Sequence, residues 1–532
     1  MPFKSRKRGA FAEKKPFRYF KPPIKELNLV LIFGVLLFAI SLVILFSVGE
    51  NTWFWLFSIL GTIVALNAFW LRFNFAQPFI WKYVITMMKT KRFIGFIKDL
   101  ARYAKWFEYV CLGGLFLGFG VFGVDYWAYY SKGRKLSRVK RIMITITSAI
   151  ILAVFFYVFM GFLFHLPLLK HLFVPCLVAF ILLGFGGMSL VLLLGYGLLS
   201  LVGIFFAKEM CPAIAPVIPG APIPGMGVPI PLVGWISLVI ILVVHEFSHG
   251  IMMVYYKEKI KSVGVLLAGI IPLGAFVEQD EKTFNRLNEK KSLMVLSAGS
   301  ASNLFTIPIT IIIMGIFLFL SAPFLEQLNS EYEKAYSGIE VINVEEKVSF
   351  CGLESVAPAK GKLFVGDVVK KVNEVDVNSI PQIISQLSRA DSNVLFLISR
   401  KNSETNAFED LNVSIIPFKF EDFGLKRIGV SFGAMPTGYS VSIWATIAQW
   451  LLSNISMVLF LLIIISFAAG SFNYLPSDPF DGGRMAKIIL CPYLDFLGKN
   501  KRETQNLIGK TFTRVLIVSL ALNLIPYMTL FF

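Results

Sequence analysis

Charged residues are scarce in this sequence. Asp, Glu, Lys and Arg make up 16% of its 532 residues, and hydrophobic residues make up 56%. Soluble globular chains carry about 25% charged residues. Several apolar runs also reach the length of about 20 residues that a helix needs to cross a bilayer. The composition therefore excludes an ordinary soluble domain and predicts an integral membrane protein.

Closely spaced cysteines are absent. The five cysteines form no CxxC pair and are irregularly spaced, at Cys111, Cys176, Cys211, Cys351 and Cys491. Such spacing argues against a disulfide framework and against a thiolate zinc site. The chain also has only four histidines, so two that lie close together within one helix are candidate ligands.

The charge that is present is mostly positive, with a net charge of +18. In membrane proteins Lys and Arg concentrate in cytosolic loops, beside anionic lipid headgroups. Residues 1–26 are therefore predicted to be a basic cytosolic N-terminus whose partner is the lipid bilayer and not a nucleic acid. Counting spans from there places the equally basic loop 132–141 outside the cell, which conflicts with the same rule.

The hydropathy pattern predicts a polytopic α-helical membrane protein with about nine spans. The first apolar run is too long for a signal-peptide core and is interpreted as a retained anchor. The run 107–130 is rich in glycine, and 172–206 is too long for one upright helix, so either is expected to be a hairpin or a broken helix. A hairpin would remove the conflict over loop 132–141. The predicted spans are 27–49, 53–76, 107–130, 142–165, 172–206, 232–256, 292–321, 441–470 and 511–531.

A soluble segment interrupts the apolar pattern. Charged residues return in residues 330–435. Strand-like alternation occurs at 339–344, 393–399 and 411–417, and a stretch with helical spacing lies between the first two of these. This pattern predicts a small soluble α/β module, which the span count places on the extracytosolic side. The rest of the chain divides into an N-terminal membrane region of unknown role and a membrane core in two parts, at 27–206, 207–329 and 436–532.

One predicted span contains the pattern His245-Glu246-Phe247-Ser248-His249. Two histidines four residues apart project from one face of a helix, where they can bind one metal ion beside a Glu that acts on a bound water. The alternative is a pair of packed, neutral histidines. It would leave a charged Glu246 in an apolar helix, at a cost of about 2.5–3.5 kcal/mol. The pattern therefore favours a metal site.

A catalytic zinc site needs a third protein ligand. His165 and His171 flank a loop between earlier spans and are poor candidates. The turn-rich segment 473–484, NYLPSDPFDGGR, offers two carboxylates, Asp478 and Asp481. From residue types alone, this segment is equally well interpreted as a solvated loop.

The pairing of an intramembrane HExxH with a later N-x-x-P-x-x-x-x-D-G segment resembles the site-2 protease family of intramembrane zinc metalloproteases, peptidase family M50. In this sequence the second segment consists of Asn473, Pro476, Asp481 and Gly482. The resemblance implies one Zn²⁺ held by His245, His249 and Asp481, with Glu246 as the catalytic acid and base. Asn473, Pro476 and Gly482 would support the active site.

Three further stretches look like elements of the same family. SAGSASNLF (297–305) resembles its A-G-x-x-x-N segment, which implies that Gly299 supports the site and that Asn303 orients the substrate or an oxyanion; Ser300 stands where the family often has proline. IIPLGAFVEQDE (271–282) resembles a membrane-inserted β-hairpin or loop near the active site. VGDVVKKVNEVDVNS (365–379) resembles the core of PDZ domains, which bind extended peptides by strand addition.

The resemblance implies cleavage of a single transmembrane helix in another membrane protein, with a peptide or substrate tail bound by the PDZ-like module. It implies a multi-pass protein of an archaeal or bacterial plasma membrane, with the active site opening toward the cytosol. Three alternatives predict other features. A prenyl-processing membrane protease would take a Glu ligand from a later helix. A catalytically silent scaffold would bind peptides through its PDZ-like module, and a transporter would need paired broken helices and inverted repeats.

Overall fold

The computed structural model describes residues 22–48, 52–73, 75–80, 83–161, 170–205, 219–220, 230–280, 287–350, 353–389, 393–401, 407–420, 425–498 and 500–529. The chain divides into two compact units. The first unit comprises residues 1–104 and 249–286, and the second comprises 105–248 and 287–532.

The first unit combines two apolar helices with a small sheet. The helices approach closely at Gly34, where an added Cβ would lie 2.6 Å from the backbone nitrogen of Ala65. The four strands are antiparallel and lie in chain order. The stretch 271–282 thus contributes an edge strand of a hairpin that turns at Gly269. The elements are α1 (Ile24–Val48), α2 (Thr52–Arg72), β1 (Gln77–Ile80), β2 (Ile85–Thr90), α3 (Ile94–Leu100), β3 (Ile260–Ala268) and β4 (Ile271–Gln279).

The second unit begins with apolar helices. A π-helical turn, Tyr126–Tyr130, follows the first of them. The helix with the HEFSH pattern is continuous from Gly234 to Tyr255, and its last turns belong to the first unit. The helices are α4 (Ala104–Asp125), α5 (Arg138–Met160), α6 (Phe173–Phe205), α7 (Gly234–Tyr255) and α8 (Glu289–Ala335).

Both runs that were expected to be hairpins or broken helices are interrupted at a glycine. Gly120 in α4 and Gly184 in α6 have φ values of 53° and 56°, which side chains rarely allow. In α6 the break is a reversal. An added Cβ on Gly195 would lie 2.7 Å from the side chain of Leu172, although 23 residues of straight helix span about 35 Å. The segment therefore forms a helical hairpin, and Gly184 packs against the carbonyl oxygen of Leu117 in α4.

The soluble module is a separate β-rich region between α8 and the next membrane helix. Its main sheet has the strand order β11-β10-β8-β5-β14, and all pairs are antiparallel. The predicted strand patterns fall in β5, β10 and β11. The elements are β5 (Tyr336–Val344), β6 (Lys347–Phe350), β7 (Leu353–Val356), β8 (Val368–Val372), β9 (Val375–Asp376), α9 (Ile380–Arg389), β10 (Val394–Lys401), β11 (Phe408–Ile415), β12 (Phe418–Phe420), β13 (Leu425–Arg427) and β14 (Val430–Pro436).

Three helices complete the second unit: α10 (Ile443–Phe472), α11 (Asp481–Ile489) and α12 (Lys501–Thr529). Within the described residues, eight helices are long and apolar enough to cross a membrane. The prediction of a polytopic helical membrane protein with a small soluble module is confirmed. These eight helices coincide with eight of the nine predicted spans, and the remaining predicted span, 53–76, coincides with the apolar helix α2 (Thr52–Arg72).

Candidate metal centre

Helix α7 carries His245 and His249 on one face. They are 8% and 7% exposed, so both histidines are buried. Glu246, the next residue along the helix, is half-buried. A histidine pair separated by four residues on a helix is a common basis for a zinc site. The local sequence therefore offers two candidate ligands, and a third would have to come from another element.

Asp481 is the first residue of α11, and a tight loop brings it to α7. The loop 473–480 is closed by a hydrogen bond of 2.8 Å from the backbone N–H of Gly482 to the carbonyl oxygen of Asn473. Only glycine fits at position 482, because the loop backbone passes so close that an added Cβ would lie 2.2 Å from the carbonyl oxygen of Tyr474. A carboxylate at the first turn of a helix is also favoured by the helix dipole.

The three predicted ligands lie together. Oδ2 of Asp481 is 3.5 Å from Nε2 of His245, and one ligand atom from each of His245, His249 and Asp481 lies within 4.8 Å of the other two. A tetrahedral zinc ion with bonds of about 2.0–2.2 Å holds its ligands about 3.4 Å apart. The residues present therefore fit a zinc ion after a small adjustment, and they leave a fourth coordination position open.

The structure separates the two carboxylates that the sequence left as candidates. The side chain of Asp478 is 50% exposed, and its Oδ2 lies 2.6 Å from Nζ of Lys487. Asp478 therefore pairs with a cation on the far side of the loop, whereas Asp481 joins the histidines. Of the histidines considered earlier, His171 is exposed and lies outside the cluster, and His165 falls outside the described residues.

Asn303 contacts the ring of a predicted ligand. Its side chain is 1% exposed, and Nδ2 lies 3.1 Å from Nδ1 of His245. Oδ1 of Asn303 is buried and has no hydrogen-bond partner among the described residues. The oxygen and nitrogen of an amide are assigned from their partners. A half-turn of this amide lets Oδ1 accept from Nδ1–H of His245, which leaves the Nε2 lone pair available to a metal ion.

The predicted supporting residues lie on the elements that carry Asn303 and Asp481. Gly299 is buried in α8, one turn before Asn303, and Pro476 is buried in the loop. Asn473 ends α10 as its C-cap, and its carbonyl oxygen closes the loop as described above. Sequence reasoning missed Tyr474, a residue of this loop whose side chain is fully buried against α4. Its ring packs against Gly118 and Gly114, which lie 356 and 360 residues earlier in the chain. Nothing in the sequence near Tyr474 indicates such distant partners.

The chain is similar to known proteins. The profile described as peptidase family M50 matches residues 233–519, more than half of the chain, and includes every predicted site residue. An uncharacterized protein of Methanocaldococcus jannaschii is 31% identical over 147 residues, which cover 28% of this chain. The aligned stretch spans about a third of that relative, 33% of its length.

Proposed function

Because the chain belongs to peptidase family M50, a family of zinc-dependent metallopeptidases, we propose that it cleaves transmembrane segments of other membrane proteins inside the bilayer. One observation carries the proposal. His245, His249 and Asp481 come together on helices of an apolar, membrane-spanning chain. Ligands of this type with an open fourth position are characteristic of catalytic rather than structural zinc sites.

The residues divide the chemical work. A bound zinc ion supplies Lewis acidity toward a water molecule and the substrate carbonyl. Glu246 accepts the proton of the attacking water and delivers it to the leaving amine. Asn303 holds the ring of His245, so that Nε2 faces the cluster. Such outer contacts orient metal-binding imidazoles and raise their affinity.

The substrate in this proposal is a single transmembrane helix. A helical backbone keeps its carbonyl groups in hydrogen bonds, so the substrate has to unwind locally before it can be attacked. The module offers a second contact. Its sheet ends in two edge strands, β11 and β14, and an extended peptide or substrate tail can add to such an edge, as it does in PDZ domains.

The proposed location is an archaeal or bacterial plasma membrane, with the metal centre opening toward the cytosol. Support for this orientation comes from two basic residues, Arg141 and Lys501, near one end of the second unit, because Lys and Arg concentrate on the cytosolic side of membrane proteins. Arg141 at the start of α5 and Tyr493 after α11 both bind Asp125, and Lys501 of α12 pairs with Glu289 of α8. Helix α8 has 47 residues and is therefore about 70 Å long. It is long enough to carry the module beyond the opposite membrane surface.

Purified protein in detergent tests the proposal. Wild type is expected to hold about one zinc ion and to cleave a model single-span substrate. Glu246→Gln is expected to keep the zinc and to lose cleavage by a factor of about 10²–10⁴. Wild type without zinc would refute the metallopeptidase. Wild type that binds zinc and peptide but cleaves no single-span substrate would favour the alternative of a silent scaffold.

A further inference from the structure

Helix α4 lies outside the stretch that matches the peptidase family, yet it contacts the element that carries Asp481. Residues 104–125 precede the matched range of 233–519. The sequence of α4 has no recognisable motif apart from its glycines. Its contacts lie at both ends of the Asp481 element, the loop 473–480 before α11 and the turn Cys491–Tyr493 after it.

At the first end, α4 encloses Tyr474. An added Cβ on Gly118 would lie 2.2 Å from Cδ1 of the Tyr474 ring, and an added Cβ on Gly114 would lie 2.5 Å from the Tyr474 hydroxyl oxygen. The hydroxyl donates to Oγ of Ser297 at 3.1 Å, and Ser297 donates to the carbonyl oxygen of Cys111 in α4 at 2.8 Å. Burial of the ring and the hydrogen bond of the hydroxyl together hold the Tyr474 side chain in one position.

The hairpin α6 closes the other side of the same residue. An added Cβ on Gly186 would lie 2.3 Å from the carbonyl oxygen of Tyr474. That same oxygen lies 2.2 Å from the position of a Cβ on Gly482, the residue after Asp481. The backbone of Tyr474 is therefore held between the hairpin and the first turn of α11. A displacement of Tyr474 is therefore expected to shift Gly482 and, with it, Asp481.

At the second end, α4 binds Tyr493. The Tyr493 hydroxyl donates to Oδ2 of Asp125, whose carboxylate also receives two bonds from Arg141, of 2.7 and 2.6 Å. Asp125 is 6% exposed. Burial and the bond to Asp125 both raise the pKa of Tyr493, so the phenol stays protonated and keeps donating. Its ring also packs edge-on against Phe122 of α4, with centroids 4.9 Å apart.

We infer that α4 is a positioning element of the metal centre, which fixes Asp481 by holding Tyr474 before it and Tyr493 after it. This inference rests on the proposed function and gives the N-terminal membrane region a part in it. Two ligands on one helix need no outside help to stay together, whereas the third belongs to a short helix of nine residues after a loop. Supporting contacts of this kind determine whether a site binds metal tightly.

Glycine substitutions in α4 give a matched test. Gly118→Ala pushes a methyl group into the Tyr474 ring, whereas Gly113→Ala on the same helix meets no atom within 4 Å. Tyr493→Phe removes only the hydroxyl at the other end. In full-length protein, we expect zinc dissociation constants from chelator competition to rise about 10- to 100-fold for Gly118→Ala and Tyr493→Phe, and to stay at the wild-type value for Gly113→Ala.

Two further readouts separate positioning from general stability. The visible spectrum of the cobalt-loaded protein reports ligand geometry and should change in Gly118→Ala. Hydrogen exchange, measured without metal, should be faster in Gly118→Ala than in wild type across residues 473–490 and should be unchanged in the rest of the protein. Wild-type affinity, spectrum and exchange in both Gly118→Ala and Tyr493→Phe would overturn the inference. A wild-type protein that binds no zinc would instead overturn the proposed function.

Discussion

The side-chain amide of Asn303 lies 3.1 Å from Nδ1 of His245, and this contact joins α8 to the helix that carries two of the proposed metal ligands. Asn303 is thereby a neighbour of a proposed ligand. The resemblance to intramembrane proteases had implied a contact with substrate or with an oxyanion. Oδ1 of the same amide is buried and has no hydrogen-bond partner in the described part of the chain. This is explained when the ring donates to Oδ1 and presents Nε2 to a metal ion.

Replacing Asn303 with alanine should weaken zinc binding. The change removes the hydrogen-bond partner of His245 Nδ1, and we expect a zinc affinity about 10- to 100-fold lower, measured by chelator competition. Asn303→Asp keeps an acceptor for Nδ1–H and should recover most of the affinity. Ser302→Ala is the control, because the Ser302 hydroxyl bonds within its own helix, 2.7 Å from the carbonyl oxygen of Gly299. Equal affinity in Asn303→Ala and wild type would contradict this role.

Two aspartates three residues apart should behave differently. Asp481→Asn removes the charge of a proposed ligand, so zinc content and substrate cleavage should both fall. Asp478→Asn removes only the pairing with Lys487 at the surface, and zinc content should remain at the wild-type level. Metal analysis of the two purified variants decides between them. A loss of zinc in Asp478→Asn with none in Asp481→Asn would mean that the third ligand is misassigned.

Adding one methyl group at Gly482 should disturb the metal centre. The new Cβ would lie 2.2 Å from the carbonyl oxygen of Tyr474, and overpacking of this kind costs about 1–3 kcal/mol. We expect Gly482→Ala to lower both the thermal unfolding temperature and the zinc affinity. Gly315→Ala in α8 meets nothing within 4 Å and provides the control. Unchanged affinity in Gly482→Ala would show that the loop adapts without moving Asp481.

Replacing Arg400 with methionine should destabilise the soluble module without loss of the metal. Arg400 makes two bonds of 2.7 Å to Asp367, which is 1% exposed. Removing the cation leaves the buried carboxylate without its counter-ion, although the backbone N–H of Phe364 still donates to Oδ2 at 2.8 Å. We expect a cost of about 3 kcal/mol, the lower end of the usual range, because Arg400 itself is partly exposed. Arg400→Met should make the module sensitive to protease while zinc content stays constant.

The matched control for this test is Lys370→Ala. It breaks an ion pair with Asp410 at the surface, where such pairs contribute little to stability. We expect its protease resistance to equal that of wild type. If Arg400→Met also loses zinc, the module and the metal centre are not independent. Comparing cleavage of substrates with and without a soluble tail in Arg400→Met then measures what the module contributes to substrate choice.

Short-range features of the site were predictable from sequence. The spacing of His245 and His249 fixes their common helix face, and a charge such as Glu246 in an apolar run demands a reason. The choice between Asp478 and Asp481 was not available from residue types. It depends on which way the loop 473–480 turns, and the family resemblance alone pointed to Asp481.

Long-range contacts were beyond the sequence. Tyr474 meets Gly118, and Tyr493 meets Asp125, across more than 350 residues. Nothing near either tyrosine indicates its partner. The glycine content of 107–130 and the length of 172–206 did indicate interrupted helices. The positions of the breaks, at Gly120 and Gly184, depend on the backbones of α4 and α6 packing against each other there.

The reversal of α6 at Gly184 decides how often the chain changes compartment. A hairpin returns the chain to the membrane surface from which it entered, so among the described helices between loop 131–137 and residue 257 only α5 and α7 are expected to cross the membrane. Two crossings restore the starting side. The basic stretch 132–141 then shares a compartment with the Lys-rich segment that follows α7, and a reporter enzyme fused at either end of α6 should give the same reading, opposite to one fused after α7.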